Sequence, residues 1–140
     1  MKVLVNGATG LIGQAVAARL REVGHDVVRL SRSSGPHGPG LDMKAATSPE
    51  AWIPFLAGVE AVVNCAGVLQ DSARGSTQAV HAGAASALFH ACETLGIRRV
   101  IHFSAIGVDR ERPSSFSATK MQGDAALMAS GLDWVILRPS

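Results

Sequence analysis

The chain has 140 residues, of which 13 are basic and 11 acidic, so its formal net charge is +2. These charges are scattered along the sequence, which argues against nucleic acid or a membrane surface as a partner, and no apolar stretch reaches the roughly 18 residues that span a bilayer. The two cysteines, Cys65 and Cys92, lie in apolar contexts without metal-ligand spacing, which predicts reduced core thiols in a cytoplasmic protein without a metal site.

The first 32 residues have the pattern of a strand, a glycine turn, a helix and a second strand. Residues 2–6 and 26–30 predict the strands, and the segment GATGLIG at 7–13 leads into a helix predicted over 11–23. Gly7 permits a turn that would strain a larger residue, Gly10 lets the main chain approach a pyrophosphate, and Gly13 lets the helix lie close to the sheet. The amide groups at the positive end of that helix would then face the phosphates. This spacing predicts a dinucleotide-binding βαβ unit.

A glycine followed by a short polar turn and a β-branched strand recurs at Gly24, Gly58, Gly96 and Gly131. The repeat predicts alternating strands and helices, hence a doubly wound parallel sheet with helices on both faces, formed by one domain over 1–140. The predicted strands are 2–6, 26–30, 41–43, 61–64, 100–104 and 134–137. The predicted helices are 11–23, 49–57, 77–95 and 116–130.

Two segments depart from this regularity. The stretch SSGPHGPG at 33–40 is too short and too rich in glycine and proline to hold a crossover helix, which predicts a mobile loop. Ser48 and Pro49 have the residue types of a helix start, with the Ser48 hydroxyl as the cap, whereas Pro54 should shorten or kink the helix that follows.

The residues after the second strand bear on the choice of cofactor. An acid there would hold the ribose hydroxyls of NAD(H), but this chain has Ser31 and Arg32. A guanidinium can pair with a 2′-phosphate, so the sequence favours NADP(H), with NAD(H) as the alternative. The simpler explanation of Arg32, as a solvated loop arginine, stays open. Asp42 is placed to accept a hydrogen bond from the adenine amino group. Ala66 and Gly67 leave room for a ribose and nicotinamide.

Five segments together resemble the short-chain dehydrogenase/reductase superfamily, and most closely its extended and atypical branches, which include epimerase/dehydratase-like proteins. They are GATGLIG, NCAG at 64–67, HFSAIG at 102–107, SFSATK at 115–120 and the closing LRPS. The resemblance implies a Rossmann fold and an NAD(P)(H) site. The implied cofactor-binding residues are Gly7, Thr9, Gly10, Leu11, Ile12, Gly13, Ser31, Arg32, Asp42, Ala66, Gly67, Ser104, Lys120 and Pro139.

The resemblance implies less about the reaction. Catalytic members use a tyrosine four residues before a lysine, and a serine that orients the substrate carbonyl. This chain keeps Lys120 as the candidate catalytic residue, but it has Phe116 at the tyrosine position, Ile106 at the serine position and no tyrosine anywhere. Two functions stay open: the cofactor-binding part of an oxidoreductase or epimerase/dehydratase-like enzyme acting on an unidentified small molecule, and a non-catalytic redox sensor or accessory subunit of an NADH dehydrogenase. A nucleotide-free scaffold is a third.

The remaining candidates have structural explanations. His81, His90 and His102 are expected to be structural or surface imidazoles, and His81 occupies a position where many relatives carry asparagine. The small residues at 82–87 permit close approach of another helix, either within the domain or across a homodimer. The resemblance also implies that relatives continue beyond the arginine-proline pair before Ser140 into a substrate-binding region that this chain lacks.

Overall fold

The computed structural model describes residues 1–67 and 76–140. Five parallel strands form one sheet in the spatial order β2, β1, β3, β4, β5. The strands are β1 (Lys2–Asn6), β2 (Asp26–Leu30), β3 (Ala61–Asn64), β4 (Arg99–Phe103) and β5 (Asp133–Leu137). Because the strand order reverses direction between β1 and β3, the carboxyl ends of these two strands flank a crevice, the usual ligand position in such sheets.

Helices cover both faces of the sheet, as predicted. The helices are α1 (Leu11–Glu22), α2 (Ala85–Leu95), which continues a π-helical segment at Gln78–Ala84, and α3 (Ser115–Met128). On one face Val3 and Val5 pack with α1 through Ala17, and on the other Leu4 and Val62 belong to the larger core. The strands are therefore apolar on both sides, and the predicted doubly wound, Rossmann-like α/β architecture is confirmed.

The predicted strand at 41–43 does not form. It is replaced by a single parallel bridge between Ser31 and Gly40, beside the end of β2. The segment before it, which the sequence predicts to be a mobile loop, contains a tight turn in which the main chains of Gly35 and Gly38 exchange two hydrogen bonds of 3.0 and 3.1 Å. The glycines allow the chain to fold back immediately, so little length remains to extend alongside β2.

The predicted helix at 49–57 is two short 3₁₀ turns, at Pro49–Ala51 and Ile53–Phe55. Pro54 has no amide hydrogen to continue an α-helix, and the Ser48 side chain makes no capping hydrogen bond. Trp52 between the turns is fully buried, and its indole Nε1 donates to the Ala46 carbonyl at 3.0 Å. The segment is thus held by tertiary packing rather than by helix propensity.

The small residues near the start of α2 pack inside the domain. Ala82, Ala84 and Ala85 are buried, and α3 approaches so closely that a Cβ on Gly123 would overlap the His81 carbonyl oxygen. This internal contact accounts for the small-residue stretch. Helix α3 begins one residue before its predicted start, after Ser114, whose Oγ accepts from the Ser117 amide at 3.2 Å.

Strand β5 lies at one edge of the sheet, and it is the most exposed strand. Trp134, Val135 and Leu137 each expose between 37% and 44% of their surface. A paired Arg99 and Asp133, 2.7 Å apart, mark the beginning of this edge. Across residues 1–67 and 76–140, no helix has the length and apolar character required to cross a membrane.

Candidate functional site

The turn after β1 is built by close main-chain packing. Gly7 has a φ of +76°, and a Cβ on it would lie 2.7 Å from the Ala66 amide nitrogen, so the turn is pressed against the segment that follows β3. A Cβ on Gly13 would overlap the Gly7 carbonyl oxygen and lie 2.9 Å from the Ala8 Cα. Both glycines are therefore required by the packing of this turn.

Helix α1 starts at this turn without a side-chain cap. Gly10 is its N-cap residue, with no side-chain hydrogen bond to the first helical turn. The first amides of an α-helix have no intrahelical acceptor and carry partial positive charge, so those of Leu11 and Ile12 are suited to an anion. Leu11 is 91% exposed, and because its side chain is apolar, its main-chain amide is the group that could bind an anion.

An open cavity lies over the crevice between β1 and β3. Most of the predicted cofactor-binding residues line it, and Val80 contributes from the π-helical segment. The lining comprises Asn6, Gly7, Thr9, Gly10, Ser31, Arg32, Asp42, Met43, Cys65, Ala66, Gly67 and Val80. The predicted residues outside this lining are Leu11, Ile12, Gly13, Ser104, Lys120 and Pro139.

At the β2 side of the cavity, Arg32 is exposed, and the turn at 33–40 forms a second hollow beside it. Arg29 supports this region from β2, since its NH2 donates to the Ala8 carbonyl at 3.1 Å and its NH1 lies 3.4 Å from His37 Nδ1. Asp42 lines the cavity while its Oδ1 accepts from the Lys44 amide at 3.0 Å. One cationic and one anionic side chain therefore face the same end of the cavity.

Lys120 lies at the opposite end, next to Gly67. Its side chain is buried, and its Nζ donates to the Phe103 carbonyl at 2.7 Å. Burial lowers the pKa of Lys120, and the nearby Asp124 carboxylate partly opposes this effect. Phe116 occupies the predicted tyrosine position and meets the His81 ring edge-on, with the ring centres 5.2 Å apart. Phe116 can donate no proton to a ligand at this position.

His81 makes a structural hydrogen bond, in agreement with the structural role expected for it from the sequence. It is 1% exposed, and its Nδ1 lies 2.9 Å from Thr119 Oγ1 on α3. A Cβ on Gly67 would lie 3.4 Å from His81 Nε2 and 3.6 Å from Lys120 Nζ. The imidazole Nε2 and the Lys120 Nζ therefore both lie close to Gly67.

A buried polar row crosses the sheet beneath the cavity, and sequence reasoning did not anticipate it. Asn6, Asn64 and His102 occupy matching register positions on β1, β3 and β4. Asn6 Nδ2 donates to Asn64 Oδ1 at 2.9 Å, and Asn64 Nδ2 lies 3.1 Å from His102 Nδ1. Since Asn64 Oδ1 also accepts from the Ala66 amide, its amide group donates to the imidazole, so the proton of the neutral ring is on Nε2.

The row ends at Asp124, which is fully buried. Its Oδ2 accepts from Ser104 Oγ at 2.7 Å and from Arg138 NH2 at 3.2 Å, while Oδ1 lies 3.3 Å from His102 Nε2 without hydrogen-bond geometry. Burial alone would raise the pKa of Asp124, but the contacts with His102, Ser104 and Arg138 together hold it below its ordinary value. Burial also lowers the pKa of His102, in agreement with a neutral ring.

This network fixes Ser104 away from the cavity, because its hydroxyl is committed to Asp124. Pro139 is exposed, and its carbonyl accepts from the Ile106 amide at 3.3 Å. Cys65 lines the cavity, and burial raises its pKa to about 11, against the influence of Lys120. In residues 1–67 and 76–140, no three His, Cys, Asp or Glu side chains cluster as metal ligands.

A family model described as NAD(P)H-binding matches residues 7–140. The 2-alkyl-3-oxoalkanoate reductase of Stenotrophomonas maltophilia is 32% identical over 115 residues, 77% of this chain and 34% of that protein. A Bacillus halodurans structure described as an NAD-dependent epimerase/dehydratase has a TM-score of 0.83 and 27% identity over 99% of this chain and 70% of its own. An NAD-bound short-chain dehydrogenase/reductase from Agrobacterium tumefaciens shares the fold, with a TM-score of 0.80 at 23% identity, over 99% of this chain and 48% of its own.

The chain spans 14% to 46% of the length of the curated relatives that it matches.

Proposed function

Because this chain belongs to the NAD(P)H-binding family, we propose that it is the cofactor-binding part of an oxidoreductase or epimerase/dehydratase-like enzyme that acts on a small molecule. The observation that best supports this is the glycine turn at the uncapped start of α1, next to a cavity at the strand-order reversal. The residues fit a dinucleotide, since within residues 1–67 and 76–140 a Cβ on Gly10 would meet only the Gly7 carbonyl oxygen, at 3.4 Å. A bound nicotinamide would supply hydride chemistry.

In this proposal each residue has a distinct task. The first amides of α1 bind the pyrophosphate, Asp42 and Arg32 contact the adenosine half, and Gly67 with Lys120 lies toward the second nucleoside. Leu11 and Ile12 contribute main chain only, and Gly13 contributes by keeping α1 close to the turn. Ser104 contributes to the site indirectly, because its hydroxyl donates to the buried Asp124 carboxylate.

We further propose a preference for NADP(H) over NAD(H). Arg32 is exposed at the cavity edge, next to the hydroxyl of Ser31 and the hollow formed by 33–37. A guanidinium there can form charge-assisted hydrogen bonds with a 2′-phosphate, each contributing about 1.5–3 kcal/mol. NADH lacks that phosphate and gains nothing from these bonds.

Isothermal titration calorimetry with NADPH and NADH tests both proposals. We expect Arg32→Ala to weaken NADPH binding by roughly 10- to 100-fold, from the hydrogen-bond energies above, and to leave NADH binding unchanged. Arg98→Ala, an exposed arginine just before β4 at the opposite end of the strands, is the matched control and should alter neither. Equal binding of both cofactors, unchanged by Arg32→Ala, would contradict the phosphate assignment.

Phe116 and the exposed Ile106 favour a second candidate function, because neither residue supplies a hydroxyl group at the positions of the usual proton donor and orienting serine. In that case the protein binds the dinucleotide without turnover, as a sensor or accessory subunit. Phe116→Tyr separates the two functions in an assay of NADPH oxidation with carbonyl substrates. Turnover by the full-length parent protein with no gain from Phe116→Tyr supports an enzyme with another proton donor, whereas silence of both full-length proteins supports the sensor or subunit.

Three broader features complete the proposal. Residues 1–140 act as one nucleotide-binding domain. The free cysteines Cys65 and Cys92 support a cytoplasmic location, where thiols remain reduced. A homodimer would have to use surfaces other than the small residues at 82–87, most of which are buried against neighbouring elements.

A further inference from the structure

We propose that His37 donates a hydrogen bond to the 2′-phosphate of NADP(H), and that Arg29 is the positioning residue that makes this imidazole a donor. The inference rests on the proposed function and its cofactor preference, and it adds a specificity-determining residue to Arg32. His37 lies in the turn at 33–40, and Arg29 lies on β2.

The hollow beside Arg32 opens from the cavity at the β2 side. Thr9, Ser31 and Arg32 line both spaces, so a ligand in the cavity can extend into the hollow. Residues 33–37 complete the lining of the hollow. Among residues 1–67 and 76–140, no aspartate or glutamate lines the hollow, and Asp42 lines the cavity only. The chemistry of the hollow therefore favours an anionic group.

The turn that contains His37 is packed against β2. A Cβ on Gly38 would overlap the Arg29 carbonyl oxygen, so the two main chains are in contact at this point. The Ser31 amide donates to the Pro39 carbonyl at 3.3 Å, which holds the end of the same turn. Because His37 immediately precedes Gly38, its side chain is held next to that of Arg29.

Arg29 determines which nitrogen atom of His37 can donate. A guanidinium group has donors only, and Arg29 NH1 lies 3.4 Å from His37 Nδ1. Nδ1 is therefore the acceptor, so the proton of the neutral imidazole is on Nε2. The Arg29 side chain is itself anchored, since its NH2 donates to the Ala8 carbonyl at 3.1 Å. It thus connects the glycine turn after β1 to His37.

Three side chains of the hollow then offer hydrogen-bond donors. They are the guanidinium of Arg32, Nε2 of His37 and the hydroxyl of Ser34. Ser34 Oγ accepts from the Gly40 amide at 3.2 Å, so its own proton can be donated to a ligand. A phosphate monoester presents three acceptor oxygens, which match three donors. The 2′-hydroxyl of NAD(H) has one oxygen with two lone pairs and cannot serve all three.

The position of the hollow selects the 2′-phosphate rather than the pyrophosphate. The pyrophosphate would face the first amides of α1, which follow Gly10, whereas the hollow lies beside Ser31 and Arg32 at the end of β2. A dinucleotide centred on α1, with its adenosine toward β2, brings the adenosine ribose to this end. Its 2′ substituent is then the group that enters the hollow.

Matched substitutions at His37 test the contact by isothermal titration calorimetry with NADPH and NADH. Asparagine can still accept from Arg29 but is too short to donate from the position of Nε2, which an amide N–H of glutamine can reach. We expect His37→Asn to weaken NADPH binding by roughly 3- to 10-fold and to leave NADH binding unchanged, whereas His37→Gln should retain NADPH binding within about 3-fold. His90→Asn, at an exposed position on α2, is the control and should alter neither.

Arg29→Met tests the positioning role, because methionine keeps a long side chain and removes both hydrogen bonds. If Arg29 acts through His37, the loss of NADPH affinity caused by His37→Ala should be smaller in Arg29→Met than in the parent protein, by at least about 2-fold. Arg29→Lys keeps a donor-only group and should retain the full effect of His37→Ala. An effect of His37→Ala that is the same in Arg29→Met and in the parent protein would overturn the positioning role. A proton on His37 Nδ1 in the ¹⁵N NMR spectrum of the unsubstituted protein would overturn it as well.

The outcomes distinguish this inference from the proposed function. Binding of neither cofactor would overturn both. Equal binding of NADPH and NADH would overturn the cofactor preference and this inference, while nucleotide binding would stand. If NADPH is preferred and Arg32→Ala weakens its binding, but His37→Asn has no effect or weakens both cofactors equally, the role of His37 alone is overturned.

Discussion

Asp124→Ala should destabilise the fold by about 2–4 kcal/mol, although Asp124 lies outside the cavity. The substitution removes the acceptor of the buried Ser104 hydroxyl, and a hydrogen bond to a charged group contributes about 1.5–3 kcal/mol. The ion pair with Arg138 adds no more than about 1 kcal/mol, because 34% of that side chain is exposed and water screens the pair. His102 loses its contact as well, and an empty space remains where the carboxylate lay.

The assay is urea denaturation followed by circular dichroism, with the free energy of unfolding extrapolated to water. Asp109→Ala is the control, because Asp109 also contacts Arg138, at 3.6 Å, but is 65% exposed. It should cost less than about 0.5 kcal/mol. A loss below about 1 kcal/mol for Asp124→Ala, or an equal loss for the control, would refute the account of Asp124 as the buried end of the polar row.

Further predictions concern pH, the glycine turn and the cavity thiol. The pKa of Asp124 is depressed in the folded state, so the ionised carboxylate contributes fully to stability above the ordinary carboxyl pKa of 3.8 and contributes less below it. The difference in unfolding free energy between the parent protein and Asp124→Asn, measured by urea titration, should therefore shrink in that acidic range. In Gly13→Ala the added methyl group would overlap the Gly7 carbonyl oxygen, so the turn at Gly7 should shift, and both the melting temperature and the cofactor affinity should fall. Unchanged cofactor binding would contradict the close packing of Gly13 on that turn. Bound NADPH should slow the alkylation of Cys65, measured by mass spectrometry above pH 9, because Cys65 lines the cavity. Cys92, whose pKa is raised to about 12, should stay unreactive. Equal alkylation rates of Cys65 with and without NADPH would contradict the position of Cys65 in the cavity.

The parts of the fold that depend on local sequence were predictable. Strands β1, β2 and β3 have the predicted bounds, and α1 ends one residue early. Gly24, Gly58 and Gly96 adopt positive φ angles at the predicted turns, whereas Gly131 does not. The errors lie where tertiary contacts dominate: 41–43 forms no strand beside β2, and 49–57 is held by the buried Trp52.

The candidate site likewise has a part that depends on local sequence and a part that depends on contacts between residues far apart in the chain. The glycine turn is contiguous in sequence, so its spacing alone predicted it. The contact of His81 with Thr119 joins residues 38 positions apart, and that of Asn64 with His102 joins another pair with the same separation. Strand register and helix packing create these contacts, and no spacing rule along the chain could have predicted them.

Strand β5 has a practical consequence for work with this polypeptide. The outer edge of such a strand offers main-chain donors and acceptors to any other extended segment, and the half-exposed Trp134, Val135 and Leu137 add apolar surface beside them. At high protein concentration this edge is the expected site of strand-to-strand self-association. Titrations on the isolated 140 residues should therefore be run dilute, and a lysine introduced at Val135 is the substitution expected to improve solubility without touching the nucleotide crevice.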